Sequence, residues 1–198
     1  MEKGKFIVVE GIDGSGKSTA VEYLVNYIED HYNIVKVLRK KEPTLSYIGD
    51  IIRGILGGFV TMPPKSIMAS LFAADRFFHT EEIKEGLKDG FHVICDRYIW
   101  SNLAYNTEGD KEVQSLLNLH KDWYLAPDYL IYLGTSPRVA LDRIIKRGNE
   151  NSFDTFKVIS GAELRYRDAL SKRYGFGDHT QLCYINTDSN LELSLIHI

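Results

Sequence analysis

Residues Gly11–Ser18 read G-I-D-G-S-G-K-S. Immediately upstream, Lys5-Phe6-Ile7-Val8-Val9-Glu10 is a short apolar run rich in β-branched residues, the composition of a buried parallel strand. Immediately downstream, Thr19 to Ile28 carries apolar residues at helical spacing. Strand, glycine loop and helix together form the setting of a phosphate-binding P-loop. Backbone N–H groups can wrap a polyphosphate only where side chains do not block the approach. Glycines at 11, 14 and 16 give that freedom, and the helix that follows points the positive end of its dipole at the anion. Lys17 is then expected at the β- and γ-phosphates, and the Ser18 hydroxyl on Mg²⁺. A plain glycine turn would explain the loop without explaining both flanks, so the stretch reads as a nucleoside triphosphate site.

The rest of the composition narrows the class. A chain of 198 residues is most simply one domain, 1–198, with 44% hydrophobic and 26% charged residues, as in ordinary globular proteins. The net charge of −3 does not draw polyanions to the whole surface, which argues against nucleic acid as a partner. Phosphate affinity must therefore be local. Cys95 and Cys183 match neither a metal pattern nor a disulfide framework and read as reduced thiols. Met1-Glu2-Lys3-Gly4 runs straight into the first strand, and no apolar run nears the ~20 residues of a bilayer span. The expected location is cytoplasmic, without membrane contact.

Further strands are expected at Ile34–Leu38, Phe91–Cys95, Tyr129–Leu133 and Gln181–Ile185, with helices between them. Lys40-Lys41-Glu42-Pro43-Thr44 reads as a polar break. Pro63-Pro64 opens a long helix that Asp89-Gly90 closes, and a helix from Asp110 reaches Trp123. Ser136 and Pro137 start another helix as N-cap and first residue, and Lys146-Arg147-Gly148 end it. A last helix spans Phe156 to Tyr174. This alternation predicts an α/β fold with a five-stranded parallel sheet covered by helices on both faces.

The P-loop does not say what receives the phosphate. Asp96-Arg97-Tyr98 falls at the C-terminal end of a predicted strand, where open α/β sheets place ligand contacts. Phe72 and Arg76, four apart, share one helix face, and Asn102 and Tyr105 follow. An aromatic plane to stack a base, amide and guanidinium groups to read its edge, and an arginine to grip a phosphate suit a nucleoside monophosphate.

At this point the chain resembles the thymidylate kinase family along nearly its whole length. Glu10–Thr19 resembles the family's P-loop, with Asp13 before the second glycine. Lys41-Glu42-Pro43 with Gly49 and Arg53 resembles its R-E-P…G…R segment, and Leu71–Arg76 its base-binding helix. Asp96-Arg97-Tyr98…Ser101-Asn102…Ala104-Tyr105 resembles its D-R-Y…S-x-x-A-Y stretch, and Pro127–Leu133 its P-D-L…Y-L strand. The resemblance implies a P-loop kinase fold with a short lid at about 143–155. It implies ATP with Mg²⁺ as cofactors, dTMP as substrate, and a homodimer.

Carried onto these positions, the resemblance implies that Gly11, Ile12, Asp13, Gly14, Ser15, Gly16, Lys17, Ser18 and Thr19 hold the donor nucleotide. Phe72 would stack on thymine, with Arg76 and Asn102 at its edge and Glu42 among the substrate contacts. Arg97 would hold the 5′-phosphate with Arg53 nearby, and Tyr105 would lie by the sugar. Asp13, Ser18 and Glu163 would lie near the metal. Gly14 stands where some members carry an arginine, so the catalytic cation is expected from the lid, as Arg147 or Arg143, alongside Lys17, Asp13 and Arg97. Three departures stand out: Gly134 in place of the family's Asp, Lys41 and Thr44-Leu45 in the R-E-P segment, and a short lid without a full C-terminal helix. The alternatives are a deoxynucleoside kinase, which would need a base to activate a hydroxyl, and a non-catalytic nucleotide-binding module.

Overall fold

The computed structural model describes residues 4–32, 36–148 and 155–189. Its elements alternate as β1 (Phe6–Glu10), α1 (Lys17–His31), β2 (Val37–Lys41), α2 (Tyr47–Leu56), α3 (Lys65–Lys88), β3 (His92–Asp96), α4 (Ile99–Asn106), α5 (Asp110–His120), β4 (Tyr129–Gly134), α6 (Pro137–Arg147), α7 (Phe156–Ser171) and β5 (Gln181–Asn186). All five strands are parallel, in the order β2-β3-β1-β4-β5. The α/β sandwich expected from the alternation is the observed fold.

Two-residue periodicity splits the sheet between two cores. Phe6 and Val8 of β1, with Val93 and Cys95 of β3 and Leu130 and Tyr132 of β4, pack under α3, α4 and α7. The intervening Val9, Ile94, Ile131 and Leu133 pack against Ala20, Val21 and Leu24 of α1 on the other face. Central strands buried on both sides are therefore apolar almost throughout. Among the described residues no helix is long and apolar enough to cross a membrane.

One strand sits elsewhere than expected. β2 runs from Val37 to Lys41, so Lys40 and Lys41 belong to the ladder rather than to a break. It is an edge strand of alternating exposure, which polar side chains tolerate and which weakens the apolar signal. Ile34 and Val35 lie outside the described residues. The helix from Asp110 ends at His120 rather than Trp123, and α7 ends at Ser171 rather than Tyr174. Ser136 takes the N-cap place of α6 without a capping side-chain bond; its own N–H donates instead to Asp188 Oδ1 at 2.6 Å. Pro137 and Gly148 bound that helix as expected, Gly148 at φ 67°. Residues 149–154 of the expected lid, and the expected C-terminal departure beyond 189, lie outside the described residues.

Candidate active site

The sheet order brings the site together. In register, Val9 of β1 faces Asp96 of β3, so the two strands end side by side and release the glycine loop and Arg97 at the same edge. Gly14 has φ 79°, and a Cβ there would stand 2.2 Å from the Ala140 carbonyl oxygen of α6. The loop therefore packs against α6 only because that position lacks a side chain. Gly16 caps α1 without any side-chain bond, and the first turn of α1 carries no acidic residue. The leading N–H groups of α1 are thus left to an anion.

A cavity opens over this helix end. Its lining is Asp13, Gly14, Gly16, Lys17, Ser18, Thr19, Lys41, Asp96, Arg97 and Arg147. Four cations face two carboxylates here, in a chain whose net charge is −3. This is the local positive field that the overall charge could not supply. Gly11 makes the turn into the loop, and Ile12 and Ser15 are fully buried behind the cavity wall.

Lys17 folds over the loop, its Nζ donating to the carbonyls of Gly11 at 2.8 Å and Ile12 at 2.7 Å. Burial pushes its ammonium down to about 8, and the Arg97 charge pushes the same way; the Asp13, Asp96 and Glu10 carboxylates oppose both. Ser18 Oγ donates to Asp96 Oδ2 at 3.1 Å, and Lys41 Nζ lies 3.7 Å from the same oxygen. Asp96 Oδ1 is buried without a hydrogen-bond partner.

Arg97 sits at φ 73°, unusual for a residue with a side chain and typical of strain held at functional positions. Its Nη2 donates to Asp13 Oδ1 and its Nη1 to Ser101 Oγ at 3.0 Å. Burial works against the guanidinium charge, but Asp13 more than compensates, and Arg97 stays a cation. Burial likewise works against the Asp13 carboxylate. The charges of Arg97 and Lys17 and the Tyr105 hydroxyl outweigh it and hold the carboxyl down to about 2. Behind this pair stands Glu10, fully buried at the end of β1. It accepts from the backbone N–H of Tyr98 at 2.7 Å and of Ser101 at 3.0 Å, and from the hydroxyls of Ser101 and Tyr166, both at 2.7 Å. Tyr98 caps α4 without a side-chain bond, so Glu10 supplies the cap from across the sheet.

The other predicted substrate residues gather between α2, α3 and α4. Phe72 is half-buried against the small core of Ile52, Ile55 and Met68. Arg76 is completely buried; its Nε lies 3.0 and 2.9 Å from the two Glu42 oxygens, and its Nη2 donates to Glu42 Oε2 and to the Tyr98 carbonyl at 3.1 Å. Asn102 donates to the Ala69 carbonyl at 3.0 Å and accepts from Asn106. Arg53 ties the carbonyls of Pro43 and Thr44 and pairs with Asp50.

The two arginines expected as lid cations part company. Arg147 lines the cavity. Arg143 is spent on the backbone, with Nη2 donating to Thr187 O at 2.5 Å and Ser189 O at 3.3 Å and Nη1 3.5 Å from Gly14 O. Glu163 also stands apart from the cavity lining, bound to Arg167 at 2.5 Å. Asp96, by contrast, lies in the lining beside Ser18. Lys41, Asp96 and Glu10 stood inside motifs quoted from the sequence, Asp96 at a strand end where ligand contacts gather, but had no individual role there; the structure sets Lys41 and Asp96 in the cavity lining and Glu10 behind it. At Gly134, where the family carries Asp, a Cβ would stand 2.2 Å from the Tyr184 hydroxyl, so the Tyr184 ring end fills that space.

Comparison with known proteins identifies the family and the fold. The family model described as thymidylate kinase matches residues 9–190. A probable thymidylate kinase from Methanococcus aeolicus is 34% identical over 185 residues, 93% of this chain and 88% of the relative. One from Pyrococcus horikoshii is 39% identical over 157 residues, 77% of this chain and 75% of the relative. A solved thymidylate kinase from Candida albicans superposes with a TM-score of 0.75 over 98% of this chain and 89% of its own, at 20% identity, which speaks to the fold. The chain belongs to the thymidylate kinase family.

Proposed function

We infer that the cavity between the glycine loop and Arg97 is where this thymidylate kinase moves the γ-phosphoryl group of ATP onto dTMP, giving ADP and dTDP. One observation carries the assignment: Lys17, suited to the donor's phosphates, and Arg97, suited to the acceptor's phosphate, line one cavity. The acceptor oxygen is already anionic at neutral pH, so the reaction needs alignment and charge neutralisation rather than a strong base.

Lys17 and the N–H groups opening α1 bind the β- and γ-phosphates, and Arg147 neutralises charge on the transferred group from the lid side. Arg97 holds the dTMP phosphate with its planar fork, steadied by Asp13 and Ser101. Phe72 stacks on thymine, Arg76 and Asn102 read its edge, and Glu42 sets the Arg76 guanidinium. Arg53 shapes the loop beside the phosphate, and Tyr105 borders the sugar. A hard divalent cation fits beside Ser18, because the buried Asp96 Oδ1 has no partner and lies on the carboxylate that Ser18 contacts. Ser18 and Asp96 would hold Mg²⁺ there, with Asp13 in the same lining, and the ion would supply positive charge for the donor phosphates. Glu163 is left out of this set, since Arg167 occupies its carboxylate.

We also propose a homodimer in the cytoplasm. Phe77 and Phe78 on α3 are 40% and 58% exposed, apolar area that a second copy would cover. The free thiols Cys95 and Cys183 suit a reducing compartment. Sedimentation at micromolar concentration would show a dimer, and a monomer there overturns that part.

The function is tested by steady-state ADP release with ATP·Mg²⁺ and dTMP, thymidine or no acceptor, for the parent and Arg97→Ala. Turnover is expected with dTMP alone, falling on the order of 10³-fold in the variant, as when a phosphate-neutralising arginine is lost. Equal turnover with thymidine, or an unaffected variant, sinks the assignment.

A further inference from the structure

The peptide bond between Ser15 and Gly16 joins a fully buried residue to one that lines the cavity. The bond is trans, so its carbonyl and its N–H point in opposite directions. The carbonyl accepts from Thr187 Oγ1 at 3.2 Å, a contact between residues 172 positions apart. Thr187 directly follows β5 and is wholly buried, and its backbone N–H donates to the Gly134 carbonyl at 2.9 Å, which fixes it at the end of β4. Its hydroxyl also meets that of Thr135, which is almost as deeply buried. A carbonyl can only accept, so the Thr187 proton goes to Ser15, and Thr135 is the donor in the second bond. From the same strand end Arg143 holds the Thr187 carbonyl at 2.5 Å and reaches the Gly14 carbonyl at 3.5 Å. The end of β5 thus grips the back of the glycine loop.

We propose that Thr187 is a positioning residue for the donor nucleotide: by holding the Ser15 carbonyl away from the cavity, it turns the Gly16 N–H toward the donor's phosphates. The proposal rests on the reading of this cavity as the donor site. Gly14 and Gly16 flank Ser15 at φ 79° and 94°, and glycine lets the peptide planes beside it turn at little cost. A turned Ser15–Gly16 plane would set a carbonyl oxygen, rather than an N–H, against the phosphate. The bond from Thr187 opposes that turn, because the turn would leave a buried hydroxyl proton without its acceptor. Once the hydroxyl is removed, both orientations of the plane become accessible, and a nucleotide must select the one that presents the N–H.

The experiment measures ADP·Mg²⁺ affinity by calorimetry, and KM for ATP and dTMP, in the parent, Thr187→Val, Thr187→Ser and Thr135→Val. Valine keeps nearly the shape of threonine and removes the hydroxyl. In Thr187→Val the ADP affinity is expected to fall, and the KM for ATP to rise, about five- to thirtyfold, the range for a buried carbonyl left unpaired. The KM for dTMP should stay within about threefold. Thr187→Ser should recover most of the affinity. Thr135→Val takes a hydroxyl from the same buried pair but leaves the bond to Ser15, so it should lower stability without weakening ADP binding. An unmoved ADP affinity in folded Thr187→Val, or an equal loss in Thr135→Val, overturns the proposal. The Gly16 amide resonance of the parent gives a second reading that needs no variant: a downfield proton shift on adding ADP·Mg²⁺ is expected, and an unmoved amide overturns the proposal. A parent that binds ADP but leaves dTMP untouched refutes the acceptor assignment instead, and the ADP affinities still decide the role of Thr187.

Discussion

The Tyr105 hydroxyl is bonded to Asp13 twice, donating to Oδ2 at 2.9 Å and accepting from the Asp13 backbone N–H at 3.0 Å. One phenol on α4 thereby fixes both the carboxylate and the backbone of a loop residue 92 positions away in sequence. Arg97 lies over the face of the same ring, 5.7 Å from its centre. Tyr105→Phe keeps that face and removes both bonds. The expected loss in kcat/KM for dTMP is about tenfold to a hundredfold, because one of the bonds involves a charged partner. ATP affinity should change far less. Indifference of kcat/KM to the change would remove Tyr105 from the site.

Asp13 also sets an acid limit. Its carboxyl is held down to about 2 from an ordinary value of 3.8. A carboxyl depressed on folding contributes stability above its unfolded pKa, and that contribution is lost as pH falls through the folded value. The contribution should therefore fade between pH 3.8 and 2, and the parent should lose stability faster than Asp13→Asn across that window in urea titrations. Parallel curves would show that Asp13 is not held down.

Lys17 titrates in the opposite direction. Its native value of about 8 lies below the usual 10.5, so the native protein sheds this proton first as pH rises. The cost of burying the charge is present below 8 and is relieved between 8 and 10.5, which favours the folded state at high pH. Polyphosphate needs the charged form, and ATP binding should weaken with pH above about 8, by up to tenfold per unit. Calorimetry at pH 7 to 9.5 in buffers of different ionisation enthalpy would reveal the accompanying proton uptake. A flat affinity curve contradicts the assignment of the donor phosphates to Lys17.

Glu10 accepts from two backbone N–H groups and two hydroxyls; burial raises its pKa above the ordinary value, and the Arg97 charge with the Ser101, Tyr166 and Tyr98 donors opposes that rise without cancelling it. Glu10→Ala would strand the buried N–H groups of Tyr98 and Ser101, at roughly 1–3 kcal/mol each. Glu10→Gln should cost less, because its oxygen can serve the two N–H groups while the Ser101 and Tyr166 hydroxyls rotate to accept from its NH₂. Chemical denaturation of both variants measures the difference. Equal losses would mean that the charge itself, rather than the acceptor geometry, holds α4.

Gly134 and Tyr184 occupy one space. Gly134→Ala is expected to cost no more than about 1 kcal/mol, the low end for overpacking, because the atoms it meets are the far end of the exposed Tyr184 ring, which can swing toward solvent. In a Tyr184→Ala background the same change should be close to neutral, giving a coupling of similar size. Additive losses would show that something other than the ring limits this position.

The P-loop, the β1–α1 junction and the apolar central strands were legible because their signals are local. A glycine spacing, a proline at a helix start and two-residue periodicity each act within a few residues. Arg97 was legible as a candidate because it stands at a strand end, whereas the expectation of a lid cation, Arg147 or Arg143, came only from the resemblance to the family. β2 was misplaced since an edge strand carries lysines without penalty. That Arg147 and not Arg143 lines the cavity, that Asp96 stands beside Ser18 while Glu163 pairs with Arg167, and that Arg76 joins Glu42 to His120 are visible only in the tertiary structure. Patterning states that a strand is buried, not which strand lies beside it. The order β2-β3-β1-β4-β5 brings Arg97 next to Asp13 and turns separate polar residues into paired ones, because a buried charge must find its partner wherever the packed chain presents one.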